Sequence, residues 1–175
     1  IRAYLHQDSV LDFAFSVLEV VLLGRSPHMA GGERPEDYEA ARRALAEVDL
    51  ADREEDLYTA LSGGEKQRVH LARVLSQIDE PAVTESRYLF LDEPTNNLDL
   101  SHQQTVFRAA RRLAAKGLAV CMVLHDLNQA FQVADEVHIL EKGRIAISGS
   151  PEQIARSAEC ERIFGVPLLR VEIPG

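Results

Sequence analysis

Two adjacent carboxylates, Asp92 and Glu93, directly follow the apolar run Tyr88–Leu91. A continuous apolar run is typical of a parallel strand buried on both faces, and open α/β sheets place ligands at the carboxyl ends of such strands. An aspartate there can hold magnesium through water, and the next glutamate can accept a proton from an attacking water molecule. The pair therefore predicts a metal-assisted hydrolytic site. The bland alternative is an acidic pair that only forms the turn after the strand.

A second candidate site is the pentapeptide Leu61-Ser62-Gly63-Gly64-Glu65. Ser62 and Glu65 have the spacing of a capping box, so the pattern predicts the start of a helix. Two glycines in the first turn cost about 1 kcal/mol each relative to alanine, so helix stability alone does not explain them. Glycine lets another group approach the backbone closely, and N–H groups at a helix N-terminus bind anions. The pentapeptide therefore predicts an anion-binding helix start.

Three weaker candidates take their meaning from position. Asp99, in Asn97-Leu98-Asp99, is also a plausible N-cap for the following helix. His125 follows a second apolar run, Ala119–Leu124, which is predicted to be a second buried strand. A lone histidine is nevertheless usually structural or solvated. Gln7 follows the short strand-like run at the start of the chain, and a single glutamine means nothing by itself.

Together these motifs resemble those of the ATP-binding-cassette (ABC) family. Leu61–Glu65, continued by Lys66-Gln67-Arg68, is similar to the ABC signature motif, and Tyr88–Thr95 is similar to a Walker B strand. The resemblance implies ATP and Mg²⁺ as cofactors. It also implies an ATP-sandwich homodimer, in which the signature motif of one copy contacts the γ-phosphate of ATP held by the other.

The same resemblance implies a role for each candidate residue. Glu93 and His125 are the catalytic pair, His125 being the switch histidine that senses the γ-phosphate. The implied nucleotide contacts are Ser62, Gly63, Gly64, Glu65, Gln7 of the Q-loop and Asp99 of the D-loop, and the implied magnesium contacts, through water, are Asp92 and Gln7. Asn96-Asn97 replaces the usual small pair before the D-loop leucine, a mild departure from the family pattern.

One family motif is missing from these residues. No G-x-x-x-x-G-K-[ST] phosphate loop (Walker A) occurs, and in the family that loop lies upstream of the position that Gln7 occupies. We therefore expect an N-terminally truncated domain that, alone, neither binds ATP tightly nor hydrolyses it.

The pattern of apolar residues around these motifs predicts an α/β protein. Helical spacing dominates from Ser16 to Ile78, whereas the later residues alternate apolar strands with helices, as in a parallel sheet. The resemblance to the ABC family implies a P-loop NTPase-like three-layer α/β/α fold, with an ABC helical subdomain at about residues 13–78. A RecA-like subdomain is expected at about residues 79–175. Gly31-Gly32 and Pro35 are predicted to break the chain between two helices, and Glu141–Arg144 is predicted to be a hairpin turn.

Composition limits the class of function. The chain has 28 acidic and 19 basic residues and a net charge of −9, which argues against nucleic acid as a partner. Its apolar runs are far shorter than the roughly 20 residues of a membrane-spanning helix. Cys121 and Cys160 are expected to be buried thiols in a reducing compartment, with a redox or disulfide role as the alternative. The six histidines form no metal-binding cluster.

The resemblance extends to a group of importers. Phe15–His28 is similar to importers of iron chelates, haem and cobalamin, and within that group Gln77–Arg87 and Leu100–Gln103 favour hemin. The implied partners are membrane-spanning permease subunits and, indirectly, a haem-binding protein. The implied location is the cytoplasmic side of a bacterial membrane, peripherally bound. Import of ferric siderophore or cobalamin is the alternative, and a soluble non-transport ABC protein or a regulatory interaction module is the alternative of another class.

Overall fold

A computed structural model describes residues 2–5, 14–79, 87–96 and 98–167 of the chain. Gln7, Asn97 and the linker at residues 80–86 lie outside the described residues. Packing divides the chain into two compact units, residues 1–124 and 125–175. The predicted division into helical and RecA-like subdomains near residue 78 stays a prediction.

The first unit contains a three-stranded parallel sheet in the order β1-β2-β3. Its strands are Arg2–Leu5 (β1), Tyr88–Asp92 (β2) and Ala119–Val123 (β3). Leu5, Leu91 and Met122 are register partners across the sheet. The parallel sheet confirms the predicted α/β class.

Four α-helices accompany this sheet in the described part of the first unit. They are Val17–Leu22 (α1), Pro35–Glu47 (α2), Gly63–Ile78 (α3) and Leu100–Ala115 (α4), with 3-10 helices at Leu23–His28, Ala51–Arg53 and Tyr58–Ala60. Gly31 and Gly32 have φ of 97° and 135° between the first 3-10 helix and α2. Glycine adopts such angles without a steric penalty, so the predicted break between two helices is confirmed.

One face of the sheet packs into the main core, and the other does not. Leu89 and Leu91 are buried with Leu5 among apolar residues of α1, α2 and α3. On the opposite face, Tyr88 is 42% and Phe90 37% exposed. The expectation that β2 is buried on both faces is therefore wrong. Side chains alternate across a strand, and only the leucine face lies against the core.

The same alternation corrects the prediction for one cysteine. The expectation that β3 is a buried strand is wrong, since its residues alternate between exposed and half-buried. Cys121 is the register partner of Phe90 and is exposed, contrary to the expected buried thiol. Cys160, in the second unit, is buried as expected, and burial raises the pKa of its thiol.

The second unit is a small α/β body with its own core. An antiparallel hairpin is followed by two short helices, and the elements are Leu127–Val133 (α5), Val137–Glu141 (β4), Arg144–Gly149 (β5), Pro151–Ile154 (α6) and Ala158–Phe164 (α7). Lys142 and Gly143 have φ of 51° and 75°, which confirms the predicted hairpin turn. Val137, Ile139, Ile154 and Cys160 form the core. Among the described residues, no helix is long and apolar enough to cross a membrane.

Candidate active site

The acidic end of β2 combines two carboxylates with different environments. Asp92 is the last residue of the strand, and its Oδ2 accepts a hydrogen bond of 3.1 Å from the phenol of Tyr4 on β1. That bond, more than the nearby negative charge, raises the pKa of Tyr4. Tyr4 and Asp92 lie on the sheet face that the core leaves exposed, so the Asp92 carboxylate remains accessible to a ligand.

Glu93 is held in an unusual backbone conformation directly after the strand. Its φ is 48°, in the left-handed region, which costs a residue other than glycine about 1–3 kcal/mol. Its N–H donates to the carbonyl of Val123 at 3.1 Å, so the end of β3 holds the turn in place. The side-chain amide of Asn96 donates to Glu93 Oε2. A carboxylate kept at a strand end against a backbone cost is typical of a functional position.

The predicted helix start at Ser62 is confirmed by its hydrogen bonds. Ser62 is the N-cap of α3, and its Oγ accepts the N–H of Glu65 at 3.3 Å. The Glu65 Oε2 in turn accepts the Ser62 N–H at 2.8 Å and the Ser62 hydroxyl at 2.7 Å. Ser62 and Gly63 are exposed, and nothing lies within 4 Å of a Cβ built on Gly63. The first turn is therefore open to a group that approaches its backbone.

Charge at this helix start is concentrated on Glu65. Hydrogen bonds lower the pKa of Glu65 to about 2. The largest contribution comes from the Ser62 hydroxyl, and smaller ones come from the Ser62 N–H and from Arg53. The carboxylate is therefore ionised throughout the neutral range. An ionised acid in the first turn favours the helix through the macrodipole, but it repels an incoming anion.

The 3-10 helix Leu23–His28 packs tightly against α3. A Cβ on Gly24 would lie 2.0 Å from the carbonyl oxygen of Arg73, so no side chain fits there without movement of the backbone. The neighbouring Arg25 is buried, with its Nε 3.1 Å from Asp37 Oδ1 and its Nη1 2.7 Å from the carbonyl of Ser76. These contacts set the position of α3 relative to α2.

The remaining predicted site residues are placed as follows. Asp99 Oδ1 accepts the His102 N–H at 3.0 Å, so the helix-capping alternative is confirmed, and a D-loop role stays a prediction. That bond and the one from the Ser101 hydroxyl lower the pKa of Asp99. His125 is the exposed first residue of the second unit. Gln7 lies outside the described residues, so its predicted magnesium and nucleotide contacts stay predictions.

The acidic end of β2 could bind Mg²⁺ through a single protein carboxylate. Mg²⁺ is usually bound through one or two carboxylates, several waters and substrate phosphates, and not by a cage of protein ligands. In the described ranges no group of three or more His, Cys, Asp or Glu side chains could hold a metal ion. The half-buried Asp92 carboxylate, with the Tyr4 hydroxyl donating to one oxygen, offers a single oxygen ligand of this kind.

Sequence reasoning missed three supporting residues. Tyr4 reaches Asp92 from a neighbouring strand, Arg53 reaches Glu65 across 12 residues, and Gly24 packs on the backbone of α3. The Gly24-Arg25 pair lies in the Phe15–His28 stretch that resembled the importers, which is a weak signal. The partners of Tyr4 and Arg53 depend on the path of the chain and leave no local pattern.

The strained glutamate at a parallel strand end and the capped, glycine-rich helix start both lie in the part of the chain that a family model matches. Residues 2–96 match the family model described as ABC transporter, and the chain belongs to that family. An inward-facing conformation of an ABC transporter described as metal-chelate type matches with a TM-score of 0.81 and 29% identity. The match covers 95% of this chain and 64% of that one. The predicted P-loop ABC ATPase fold is confirmed.

Two relatives in this family are more similar in sequence to this chain than that transporter is. A hemin import ATP-binding protein of Gloeobacter violaceus is 48% identical over 99% of this chain. Another of Myxococcus xanthus is 47% identical over 98% of it. The chain spans 63% and 64% of the length of these two relatives.

Proposed function

We propose that this chain serves ATP-driven import of hemin as part of the ATP-binding and ATP-hydrolysing subunit of an ABC importer. The observation that carries the proposal is the pair of relatives named hemin import ATP-binding protein, which match almost the whole chain at 47–48% identity. The two candidate sites support it, because an anion-binding helix start and a carboxylate pair are two of the parts that hydrolysis of a bound nucleotide requires.

At the acidic end, Glu93 is the proposed general base. A carboxylate held after the strand by its own backbone bond to Val123 can take the proton from water as the water attacks a phosphate. Asp92 would hold Mg²⁺ through water, with Gln7 as a second contact. The ion would neutralise charge on the phosphate oxygens. In this scheme His125 contacts the γ-phosphate.

At the helix start, Ser62, Gly63 and Gly64 are proposed to bind the γ-phosphate of ATP held by a second copy of the chain. The open first turn supports this, because its N–H groups and the Ser62 hydroxyl can point at an anion. In the homodimer each copy completes its neighbour's nucleotide site. Asp99 contributes a contact across the same interface.

The proposed surroundings follow from the importer assignment. The partners are membrane-spanning permease subunits and, through them, a haem-binding protein outside the membrane. The subunit would lie peripherally on the cytoplasmic side of a bacterial membrane. The helical segment around residues 13–25 would transmit closure of the dimer to the permease.

A related cargo is the second candidate. The match to a transporter described as metal-chelate type is compatible with import of a ferric siderophore or cobalamin, since these cargoes are metal chelates, as hemin is. The candidate sites do not distinguish these cargoes, because they act on the nucleotide and the cargo is chosen by other subunits. A soluble non-transport ABC protein or a regulatory module is the alternative of another class, and neither would respond to a cargo-binding protein.

The test uses the longest form that the gene encodes, reconstituted in vesicles with its permease. Hemin-loaded binding protein is expected to stimulate ATP hydrolysis, whereas the same protein loaded with a ferric siderophore or cobalamin is not. Stimulation by a siderophore or cobalamin and not by hemin would overturn the cargo. Hydrolysis that responds to no loaded binding protein would overturn the importer assignment.

A further inference from the structure

Arg53 contacts α3, the helix that begins at the motif resembling the ABC signature, from a separate segment of the chain. It is the last residue of the 3-10 helix Ala51–Arg53, and its Nη1 donates to Glu65 Oε1 at 2.7 Å. Its Nε pairs with Asp56, so the guanidinium is held on two sides. The side chains of Arg53 and Glu65 are 36% and 22% exposed, which leaves the pair only partly screened by water.

The two oxygens of Glu65 have different partners. Oε1 accepts from Arg53, whereas Oε2 accepts both the N–H and the hydroxyl of Ser62. The carboxylate therefore links the guanidinium to the residue that opens the helix. If the Ser62 hydroxyl donated to a phosphate instead, Glu65 would lose one of its bonds and would keep the bond from Arg53.

The segment that carries Arg53 is tied to the start of α1. The carbonyls of Glu54 and Asp56 accept the N–H groups of Leu18 and Val17 at 3.0 and 2.9 Å. The N–H of Tyr58 donates to the carbonyl of Phe15 at 2.9 Å. The residues before Arg53 are also bonded to α3, since Arg68 Nη1 donates to the carbonyls of Val48 and Asp49 at 2.9 and 3.2 Å. Arg53 is therefore positioned by segments bonded to both α1 and α3.

The charge at this helix start explains why such a residue is needed. An ionised carboxylate within a few ångströms of an incoming phosphate repels it, and in a partly desolvated site this repulsion is larger than in water. A guanidinium paired with the carboxylate offsets that repulsion and also keeps the carboxylate from swinging towards the ligand.

We propose that Arg53 is a positioning residue for the start of α3: by pairing with Glu65 it neutralises the carboxylate and leaves the Ser62 hydroxyl and the first N–H groups of α3 able to donate to a phosphate. This inference rests on the proposed ATPase function. It predicts that Arg53 acts only through Glu65 and does not touch the nucleotide.

The test compares Arg53→Met, Arg53→Lys, Glu65→Gln and the double variant Arg53→Met/Glu65→Gln in the reconstituted transporter. Arg53→Met is expected to raise the KM for ATP about fivefold with kcat little changed, as for a loss of binding energy near a partly exposed ion pair. Arg53→Lys is expected to restore most of the affinity. The double variant is expected to have the same KM as Glu65→Gln alone, because Arg53 has no carboxylate charge left to neutralise there.

The matched control is Arg42→Met. Arg42 pairs with Glu54 at 2.8 Å and so also ties this segment, but to α2. If Arg53 only stabilised the fold, Arg53→Met and Arg42→Met would change KM equally, and Arg53→Met would still raise the KM when added to Glu65→Gln. Either result overturns the proposal. The loss in Arg53→Met is also expected to shrink at high salt, which a purely structural role would not cause.

The failure of the inference can be separated from that of the proposed function. If the unsubstituted protein does not hydrolyse ATP, the proposed function fails. Carboxyl-detected NMR on the 175-residue chain then still tests Arg53. Arg53→Met is expected to raise the titration midpoint of Glu65 and Arg42→Met to leave it in place. An unchanged midpoint in Arg53→Met overturns the inference.

Discussion

The two candidate sites are built in opposite ways. At the helix start of α3, Ser62 and Glu65 satisfy each other through a complete capping box, and Arg53 adds a charge partner. At the end of β2, Glu93 has a left-handed backbone and Asp92 accepts a bond from an exposed tyrosine. The helix start is stable by itself, whereas the strand end is held at a cost by the sheet around it.

The comparison indicates which substitutions trade stability for function. A residue held in a strained conformation is expected to be important for chemistry and dispensable for folding. A residue in a satisfied cap is expected to contribute to both. Glycine at an open position within the cap is expected to be unfavourable for stability and favourable for binding.

The largest expected effect is the loss of hydrolysis in Glu93→Gln. Removing the proton acceptor is expected to lower ATP hydrolysis by about 100-fold or more, because general base catalysis contributes that much. Thermal unfolding should change little, since the amide has nearly the same shape. Phosphate release from the reconstituted transporter measures the effect. The control is Glu39→Gln, an exposed acid paired at 3.9 Å with Arg43. Near-normal hydrolysis in Glu93→Gln would contradict the proposed base.

Gly63→Ala is expected to have an intermediate effect, in which stability rises and ATP hydrolysis falls. Alanine is a better helix former and meets nothing within 4 Å, so the free energy of unfolding should rise by up to about 1 kcal/mol. Hydrolysis should fall by about tenfold or more, because a methyl group displaces the phosphate from the amides. Urea unfolding and phosphate release measure the two effects.

The control for this glycine is Gly117→Ala. Gly117 also has open space around it, but its φ is 84°. Alanine is strained there, so the free energy of unfolding is expected to fall by about 1 kcal/mol while hydrolysis is kept. If Gly63→Ala left hydrolysis unchanged, the first turn of α3 would not be a close-approach site.

The smallest expected effect is on the pH dependence of stability. The pKa of Glu65 is lowered to about 2 in the folded chain, below its unfolded value. The stability it contributes is therefore fully present above the unfolded pKa and is lost as the pH falls through about 2. Glu65→Gln is expected to remove about 1 kcal/mol of this acid-sensitive stability, since water screens part of the shift.

Urea unfolding at a series of pH values between 5 and 2 checks this effect. The control is Glu19→Gln, which alters the same kind of capping box at α1, where Glu19 Oε2 accepts the N–H of Ser16 at 2.6 Å. Equal changes in the two variants would show that the charge partner Arg53 adds nothing to the cap.

Local interactions explain what the amino-acid sequence determined by itself. The start of α3, the break at Gly31-Gly32, the hairpin turn at Lys142-Gly143 and the acidic strand end each depend on residues within about four positions of one another. A local sequence pattern therefore predicts each of them, and the structure confirms these elements.

Which strand faces are buried and which charges meet depends on tertiary packing. Strand register set Tyr4 beside Asp92 and left the Tyr88, Phe90 and Cys121 face exposed, although the apolar run alone indicated burial on both sides. The path of the chain brought Arg53 to Glu65 across 12 residues. Such pairings depend on how distant segments pack, and the free energy of that packing is spread over the whole core. A local pattern contains no record of it.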